Sequence, residues 1–483
     1  MIPKTGQSPL SRRAVLGGVA AVTAAATTLG AARPASAAST ADAASHKKKA
    51  AAPQFLMGIN THMTGSKYIP DAVNVVAQMG TNSVRDQISW NVVEQQPGVY
   101  QVPAEIDTYY RDAAAKGLNP LVILVYGNPL YDGGERPTSP EGIAAFTNYA
   151  RFLANHFHGV VTRYEVWNEW DIPIGGVTGS GDAAAYVNLL SSVYPALKAV
   201  DPNITVVGGV ASSISPTYNT ALLDNGLLQH CDVFSVHTYV YAGLPVEDRI
   251  PEVWLQQMLD IQTLLRSYNN GVDFPVYITE LSWPTGIKGV VDETGVTYEL
   301  EAAYVARLYL LARTLPFLKG VWLYEFQDEG WTYNLYGTNY GLVRPDLTPK
   351  DGYFSFQSIS SLVTHGTYVE RQPAIDPNVW ALRFTDVDGN DVMALWNQYL
   401  DNNYSVVLHD NGTRFEPLQF QQAGGVPVMR QWGRRAWYDA TGASLTLNDI
   451  DVTLRRAPML ITGPLDDVVV RIVRMHTFPE LQR

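Results

Sequence analysis

The sequence predicts an α/β protein, a (β/α)8 TIM barrel with a C-terminal β-sandwich domain. Three observations carry this. Between residues 54 and 364 short β-branched or aromatic runs alternate with longer amphipathic ones, eight times over about 310 residues. The first run ends in Gly58-Ile59-Asn60-Thr61-His62, which lacks the G-x-G-x-x-G turn that an open doubly wound sheet would want. After residue 364 the pattern turns all-β.

The strand candidates are Phe55–Asn60, Ser83–Ile88, Leu121–Tyr126, Val161–Trp167, Thr205–Gly209, Val233–Tyr239, Val276–Glu280 and Val321–Tyr324. Between them lie the helical patterns. The first, Asp71–Met79, stops at Gly80, a C-cap residue. Pro140–Phe157 opens behind Ser139, an N-cap followed by proline at the first helical position. Further patterns cover Ala104–Lys116, Ala183–Val200, Val253–Ser267, Glu299–Thr314 and Tyr353–Val363. The weakest lies near Thr220–Leu228. Strict alternation implies a parallel sheet with its helices outside.

Beyond residue 364, Val379–Phe384, Asp391–Leu395, Tyr404–His409, Ser444–Leu447, Val452–Arg455 and Met459–Thr462 read as strands of a sandwich over 365–483. The acidic stretch Asp386–Asp391 reads as a hairpin turn at Asp388-Gly389. Its glycine stands fourth, not sixth as a calcium-binding EF-hand loop requires.

Residues 1–37 read as an address. Ser11-Arg12-Arg13-Ala14-Val15-Leu16 precedes a mildly apolar run to Leu29, and Arg33-Pro34-Ala35-Ser36-Ala37 offers a small-x-small cleavage site. This is the pattern of a twin-arginine export signal, with a general secretory signal as the alternative, and implies a secreted protein. Residues 38–53 read as a disordered tether. No later stretch reaches the roughly 18 apolar residues of a membrane span.

Composition narrows the partners. The 483 residues carry a net charge of −12, although residues 1–37 hold four cations and no acid. So acidic a chain is a poor partner for nucleic acid or anionic membranes. With 11 Trp, 27 Tyr and 14 Phe but only 17% charged residues, it suits sugars, whose apolar C–H faces stack on aromatic rings. A single cysteine, Cys231, forbids an intramolecular disulfide or a multi-cysteine metal site. No H-E-x-x-H spacing supports a metal hydrolase, and no cofactor is expected.

In such a barrel, polar residues at strand C-termini face the catalytic side. Strand 4 ends Tyr164-Glu165-Val166-Trp167-Asn168-Glu169, and strand 7 ends Tyr277-Ile278-Thr279-Glu280. Strands 4 and 7 lie across the ring, so Glu169 and Glu280 can face each other over its mouth. Two carboxylates flanking a cleft are the minimum set for glycoside cleavage. A lone glutamate at a strand end is more often a cap or an ion-pair partner; two at matching depth, each beside a tryptophan, point to chemistry.

Asn168-Glu169 with Glu280 resembles the signature of the retaining β-glycosidase clan built on (β/α)8 barrels, glycoside hydrolase family 39 and its bacterial endoglycosidase relatives in particular. Arg85 within Val84–Trp90, the Val93-Glu94 and Gly98-Val99-Tyr100 stretches, Val236-His237-Thr238-Tyr239 and Gly341–Asp346 match as well. The resemblance covers about residues 55–360. It implies Glu169 as acid/base, Glu280 as nucleophile, Asn168 on the sugar 2-hydroxyl, Arg85 and Tyr239 on Glu280, and His237 on Glu169. His62 lies on the same rim as a candidate sugar contact. On strand 8 the expected sugar platform is Trp322, although relatives often place tryptophan directly before the tyrosine, where this chain has Leu323; Glu325 is the alternative contact. Strand 3 ends Tyr126-Gly127-Asn128-Pro129, where several clan members carry histidine. Loop aromatics Trp90, Trp170, Trp283 and Trp331 are candidate subsites or packing.

The function expected is a secreted retaining β-glycoside hydrolase acting on a poly- or oligosaccharide, the rival being a catalytically silent carbohydrate-binding barrel.

Overall fold

The computed structural model describes residues 54–65, 69–240, 244, 248–286, 295–331, 338–372, 377–399, 404–409, 414–417, 449–453, 456–462 and 471–474. The export signal, the tether and the strand expected at Ser444–Leu447 lie outside these residues.

Eight strands close a parallel barrel: β1 (Leu56–Asn60), β2 (Ser83–Ser89), β3 (Asn119–Val125), β4 (Arg163–Val166), β5 (Thr205–Ala211), β6 (Val233–His237), β7 (Val276–Leu281) and β8 (Leu318–Leu323). Each strand pairs with the next and β8 closes on β1, with Gly58 opposite Trp322. The intervening helices are α1 (Pro70–Gln78), α2 (Ala104–Ala115), α3 (Pro140–His156), α4 (Ala183–Val200), α5 (Pro216–Asp224), α6 (Pro251–Tyr268) and α7 (Tyr298–Ala312), with α8 (Asp351–His365) after β8. All eight expected strands and helices form, with shifted ends.

The start signals work as read. Ser139 Oγ accepts from Gly142 N at 3.0 Å ahead of Pro140, and Asp182 and Thr297 cap α4 and α7 in the same way. The weak pattern after the fifth strand becomes the nine-residue α5 and a 3-10 turn at Leu227–Gln229.

Two apolar layers result. The main core lies between strands and helices, where Ile59, Val84, Leu124, Ile278 and Leu323 meet helix residues such as Phe146, Leu190 and Leu308. A separate cluster of Leu56, Leu121, Val207, Val233, Tyr277 and Trp322 fills the barrel interior. Gly58 makes room for it: a Cβ there would stand 2.2 Å from the Trp322 ring.

Antiparallel strands follow: β9 (Thr367–Arg371), β10 (Val379–Thr385), β11 (Asp391–Asn397), β12 (Tyr404–His409), β13 (Arg414–Pro417), β14 (Asp449–Thr453), β15 (Met459–Thr462) and β16 (Arg471–Arg474). They make a five-stranded sheet ordered β9-β10-β11-β15-β13 and a three-stranded sheet ordered β14-β12-β16. The turn at Asp386–Asp391 is closed by the Asp386 carboxylate, which accepts from the backbone of Asp388 and Asn390, with Gly389 at φ 85°. Trp396 on β11 donates to Glu252 on α6 at 2.7 Å, and the same buried carboxylate pairs with Arg307 of α7. Strands β9, β13 and β16 have no counterpart in the sequence reading, because runs such as Thr-Tyr-Val-Glu-Arg give no clean alternation. Among the described residues no helix is long and apolar enough to cross a membrane.

Candidate active site

Strand parity decides which side chains enter the barrel. On β2, Ser83 and Arg85 point inward, and on β6 Val233, Ser235 and His237 do. Strand β7 breaks this rule. Tyr277 belongs to the interior cluster, so strict alternation would turn Glu280 outward. The ladder instead skips Thr279, pairing Val236 with Ile278 and then His237 with Glu280. This one-residue bulge re-aims Glu280 into the mouth. Strand β4 ends early for a related reason: Trp167 at φ 75° and Glu169 at φ 48° turn the chain, so Trp167 packs outward on Phe146 while Asn168 and Glu169 reach the site.

Arg85 is the hub. Buried at 1% exposure, it donates from Nε to Glu165 Oε2 at 2.6 Å and from Nη1 to Glu280 Oε1 at 2.8 Å and Asn60 Oδ1 at 2.7 Å. Its Nη2 donates to Asn168 Oδ1 at 3.0 Å. The Tyr239 hydroxyl donates to Glu280 Oε2 at 2.9 Å. His237 Nδ1 lies 2.8 Å from Glu169 Oε1 and 3.5 Å from Glu280 Oε2. Asn168 Nδ2 donates to the Tyr126 hydroxyl at 3.1 Å. The expected residues Arg85, Asn168, Glu169, His237, Tyr239 and Glu280 therefore converge.

Their charges are unequal. Burial would raise the Glu280 carboxyl, but His237, Arg85 and the Tyr239 hydroxyl outweigh it and hold the group below the usual carboxylate range. Burial would lower the His237 imidazole, yet Glu280 and Glu169 pull it above its ordinary value. Burial, with Glu280 and Glu169 nearby, pushes the Tyr126 phenol up to about 12. One oxygen each of Glu169 and Glu280 and a nitrogen of His237 lie within 4.8 Å of one another. A cation held there would face the Arg85 guanidinium bound to the same Glu280 carboxylate. That repulsion favours an uncharged ligand over a metal ion.

The rim is built from loops after β1 and β8. Asp86 accepts from Thr61, Met63 and Thr64, holding His62 at φ 51° with its ring half-exposed. His62 Nε2 is 3.6 Å from Glu325 Oε2, and its ring meets Tyr324 edge-on. Tyr324 continues to Tyr340 and Tyr239, making an aromatic wall beside Glu280. Burial, together with Glu329, Asp328 and Glu280, drives the Glu325 carboxyl well above the usual carboxylate range.

Several expectations are corrected. Trp322 is not a sugar platform: it lies inside the lower barrel, fully buried, donating to Ser83 Oγ at 3.0 Å. Trp283 is not a subsite either, being 1% exposed, bonded to the Arg249 carbonyl and packed edge-on against Tyr304. Trp90 and Trp170 are fully buried and are packing; Trp331, at 56%, stays exposed. Glu165, Asn60, Tyr126, Tyr324 and Tyr340 were not singled out as site residues from sequence. Tyr126 and Tyr324 end strand candidates, the position that flagged the glutamates.

No protein-family model and no curated protein matches the chain. Solved structures do. A family 39 glycoside hydrolase from the gut symbiont Bacteroides cellulosilyticus WH2 aligns at 22% identity over 84% of this chain and 80% of its own, with a TM-score of 0.66. A glucosidase from Croceicoccus marinus aligns at 14% identity over 85% and 95%, TM-score 0.60. A monomeric β-xylosidase from Caulobacter crescentus CB15 aligns at 17% identity over 84% and 95%, TM-score 0.55. What these likenesses show is the fold, and this chain has the (β/α)8 architecture of family 39 glycoside hydrolase structures.

Proposed function

We propose that the protein is a retaining β-glycoside hydrolase that cleaves a poly- or oligosaccharide by double displacement. The carrying observation is the asymmetry of two close carboxylates: Glu280 is gripped by Arg85 and Tyr239, whereas among the described residues the Glu169 carboxylate has only His237 as a hydrogen-bond partner. The clamped, anionic Glu280 is the nucleophile, attacking the anomeric carbon. Glu169 gives its proton to the leaving oxygen. Once the sugar is esterified to Glu280, Glu169 takes a proton from a water whose oxygen bonds to the anomeric carbon, breaking the ester and freeing the Glu280 carboxylate. Oxygens within 4.8 Å suit this route; inversion needs a gap of about 6.5 Å or more for water. Asn168 is placed to bind the sugar 2-hydroxyl, and Glu325 with His62 to bind another hydroxyl at the rim.

The same reading has residues 1–37 exporting the enzyme through a twin-arginine route and residues 365–483 forming a β-sandwich accessory domain. Proton NMR of the first product released from an aryl β-glycoside tests the chemistry. The β-anomer is expected first, and an α-anomer would mean inversion.

A further inference from the structure

Resting on that reading, one buried carboxylate has no part in the two-step chemistry. Glu165 sits on β4, fully buried inside the barrel, one layer beneath the reacting pair. Its Oε2 accepts from Arg85 Nε at 2.6 Å, while its Oε1 is buried without a hydrogen-bond partner among the described residues. Leaving a carboxylate oxygen unpaired in a barrel interior is costly. A glutamine would satisfy Arg85 Nε equally well through its amide oxygen, so the hydrogen bond alone does not account for an acid at this position. The difference between the two side chains is the negative charge.

We propose that Glu165 is a positioning residue that orients Arg85 and shares its charge, so that the guanidinium serves two carboxylates instead of binding Glu280 alone. The fork geometry supports this. Nε faces Glu165 on β4 and Nη1 faces Glu280 on β7, so the planar group spans the barrel between the two strands that carry the reacting pair. Asn60 on β1 and Asn168 after β4 hold the remaining edges by neutral acceptors. The balance has a chemical purpose. An arginine compensated only by Glu280 would bind that carboxylate too firmly, and a nucleophile held so strongly as an anion attacks poorly. An extra uncompensated cation would also expel the proton that Glu169 must deliver. With Glu165 present, the Arg85 guanidinium is shared between two carboxylates, Glu165 at 2.6 Å and Glu280 at 2.8 Å.

The titratable groups facing this cluster are Glu169, His237, Tyr239, Glu280, Tyr126 and Glu325. Removing one negative charge from their midst favours the deprotonated form of each. Glu165→Gln, nearly isosteric, should therefore displace both limbs of the kcat/KM pH profile to lower pH by about one unit, an effect typical of one nearby charge. Glu165→Asp, which keeps the charge, should leave the limbs near those of the wild type even if kcat falls. The His237 imidazole, followed by NMR in the full chain, should titrate at lower pH in E165Q than in the wild type, and this readout needs no turnover. If E165Q does not fold, Asn60→Asp tests the idea from the other side, because a third carboxylate on Arg85 should move the profile to higher pH. Limbs and a His237 titration that stay in place in a folded E165Q, or in a folded N60D, would overturn the proposal. A wild-type chain inactive on every glycoside would instead overturn the hydrolase reading, with the His237 titration still deciding the role of Glu165.

Discussion

The Tyr239 hydroxyl donates to Glu280 Oε2 at 2.9 Å, on the oxygen opposite the one that Arg85 grips. Both oxygens of the proposed nucleophile are thus held, which aims the carboxylate and favours its anion. Tyr239→Phe removes one of the two holds without changing the ring. A hydrogen bond to a charged group contributes about 1.5–3 kcal/mol, so kcat should fall roughly ten- to a hundredfold while KM changes little. The sign of the pH effect follows. The bond lowers the Glu280 pKa, so its loss raises that pKa toward the ordinary value, and the acid limb of kcat/KM should move to higher pH. Steady-state kinetics from pH 3 to 8 check both effects; an unmoved acid limb would contradict the assignment.

The two glutamates should respond differently to truncation. Glu169→Ala leaves a nucleophile but no acid. It should retain turnover of aryl glycosides with good leaving groups, lose about 10²–10⁴-fold on natural linkages, and recover with azide as β-glycosyl azide. Glu280→Ala leaves no nucleophile, so added azide should not restore retaining turnover. Full activity of Glu169→Ala on natural glycosides would invalidate the roles.

Stability should carry the signature of a second buried acid. Glu301 on α7 is fully buried, with Lys350 Nζ at 3.5 Å, and burial pushes its carboxyl up to about 8 despite the lysine. An acid whose folded pKa is raised keeps its proton in the native chain but releases it on unfolding above its ordinary value near 4.5. Stability should therefore decline as pH rises from about 4.5 to 8, then level off. Glu301→Gln cannot ionise and should lose this part of the slope. Thermal unfolding at pH 5 and pH 8 checks it: the fall in Tm between the two should be smaller in E301Q than in the wild type.

The barrel was legible from the sequence because its signals are local. Alternating apolar runs, Ser139-Pro140 and glutamates at strand ends each mark an element or a face without reference to distant residues. What stayed hidden depends on register. The bulge at Thr279 has no local mark, since Val-Tyr-Ile-Thr-Glu-Leu reads as an unbroken strand, yet only a skipped residue lets Tyr277 and Glu280 both point inward. The family resemblance implied Arg85 on Glu280, but its share in Glu165 requires the packed interior.

Trp322 shows the same limit most sharply, and it supplies the last prediction. As an aromatic residue near the end of the eighth strand it resembled a sugar platform. Its fate is decided by a glycine 264 positions earlier: Gly58 lies opposite Trp322 across the β1–β8 pair, and the missing side chain opens the space that the indole fills. The ring packs on Tyr277 at 4.8 Å between centroids and donates to Ser83 Oγ, at the end of the barrel away from Glu169 and Glu280. Truncating it should act on the fold and not on binding. Trp322→Ala empties the lower barrel and should cost about 3–5 kcal/mol of stability. Trp322→Phe keeps most of the volume but leaves Ser83 Oγ without its donor, for a smaller loss of about 1–2 kcal/mol. In both variants KM for an aryl glycoside, measured well below the unfolding temperature, should stay within about twofold of the wild type, since the ring touches no part of the mouth. A subsite platform would behave in the opposite way, with KM rising at least tenfold in Trp322→Phe while Tm stayed constant. Measuring Tm and KM on the same preparations separates the two.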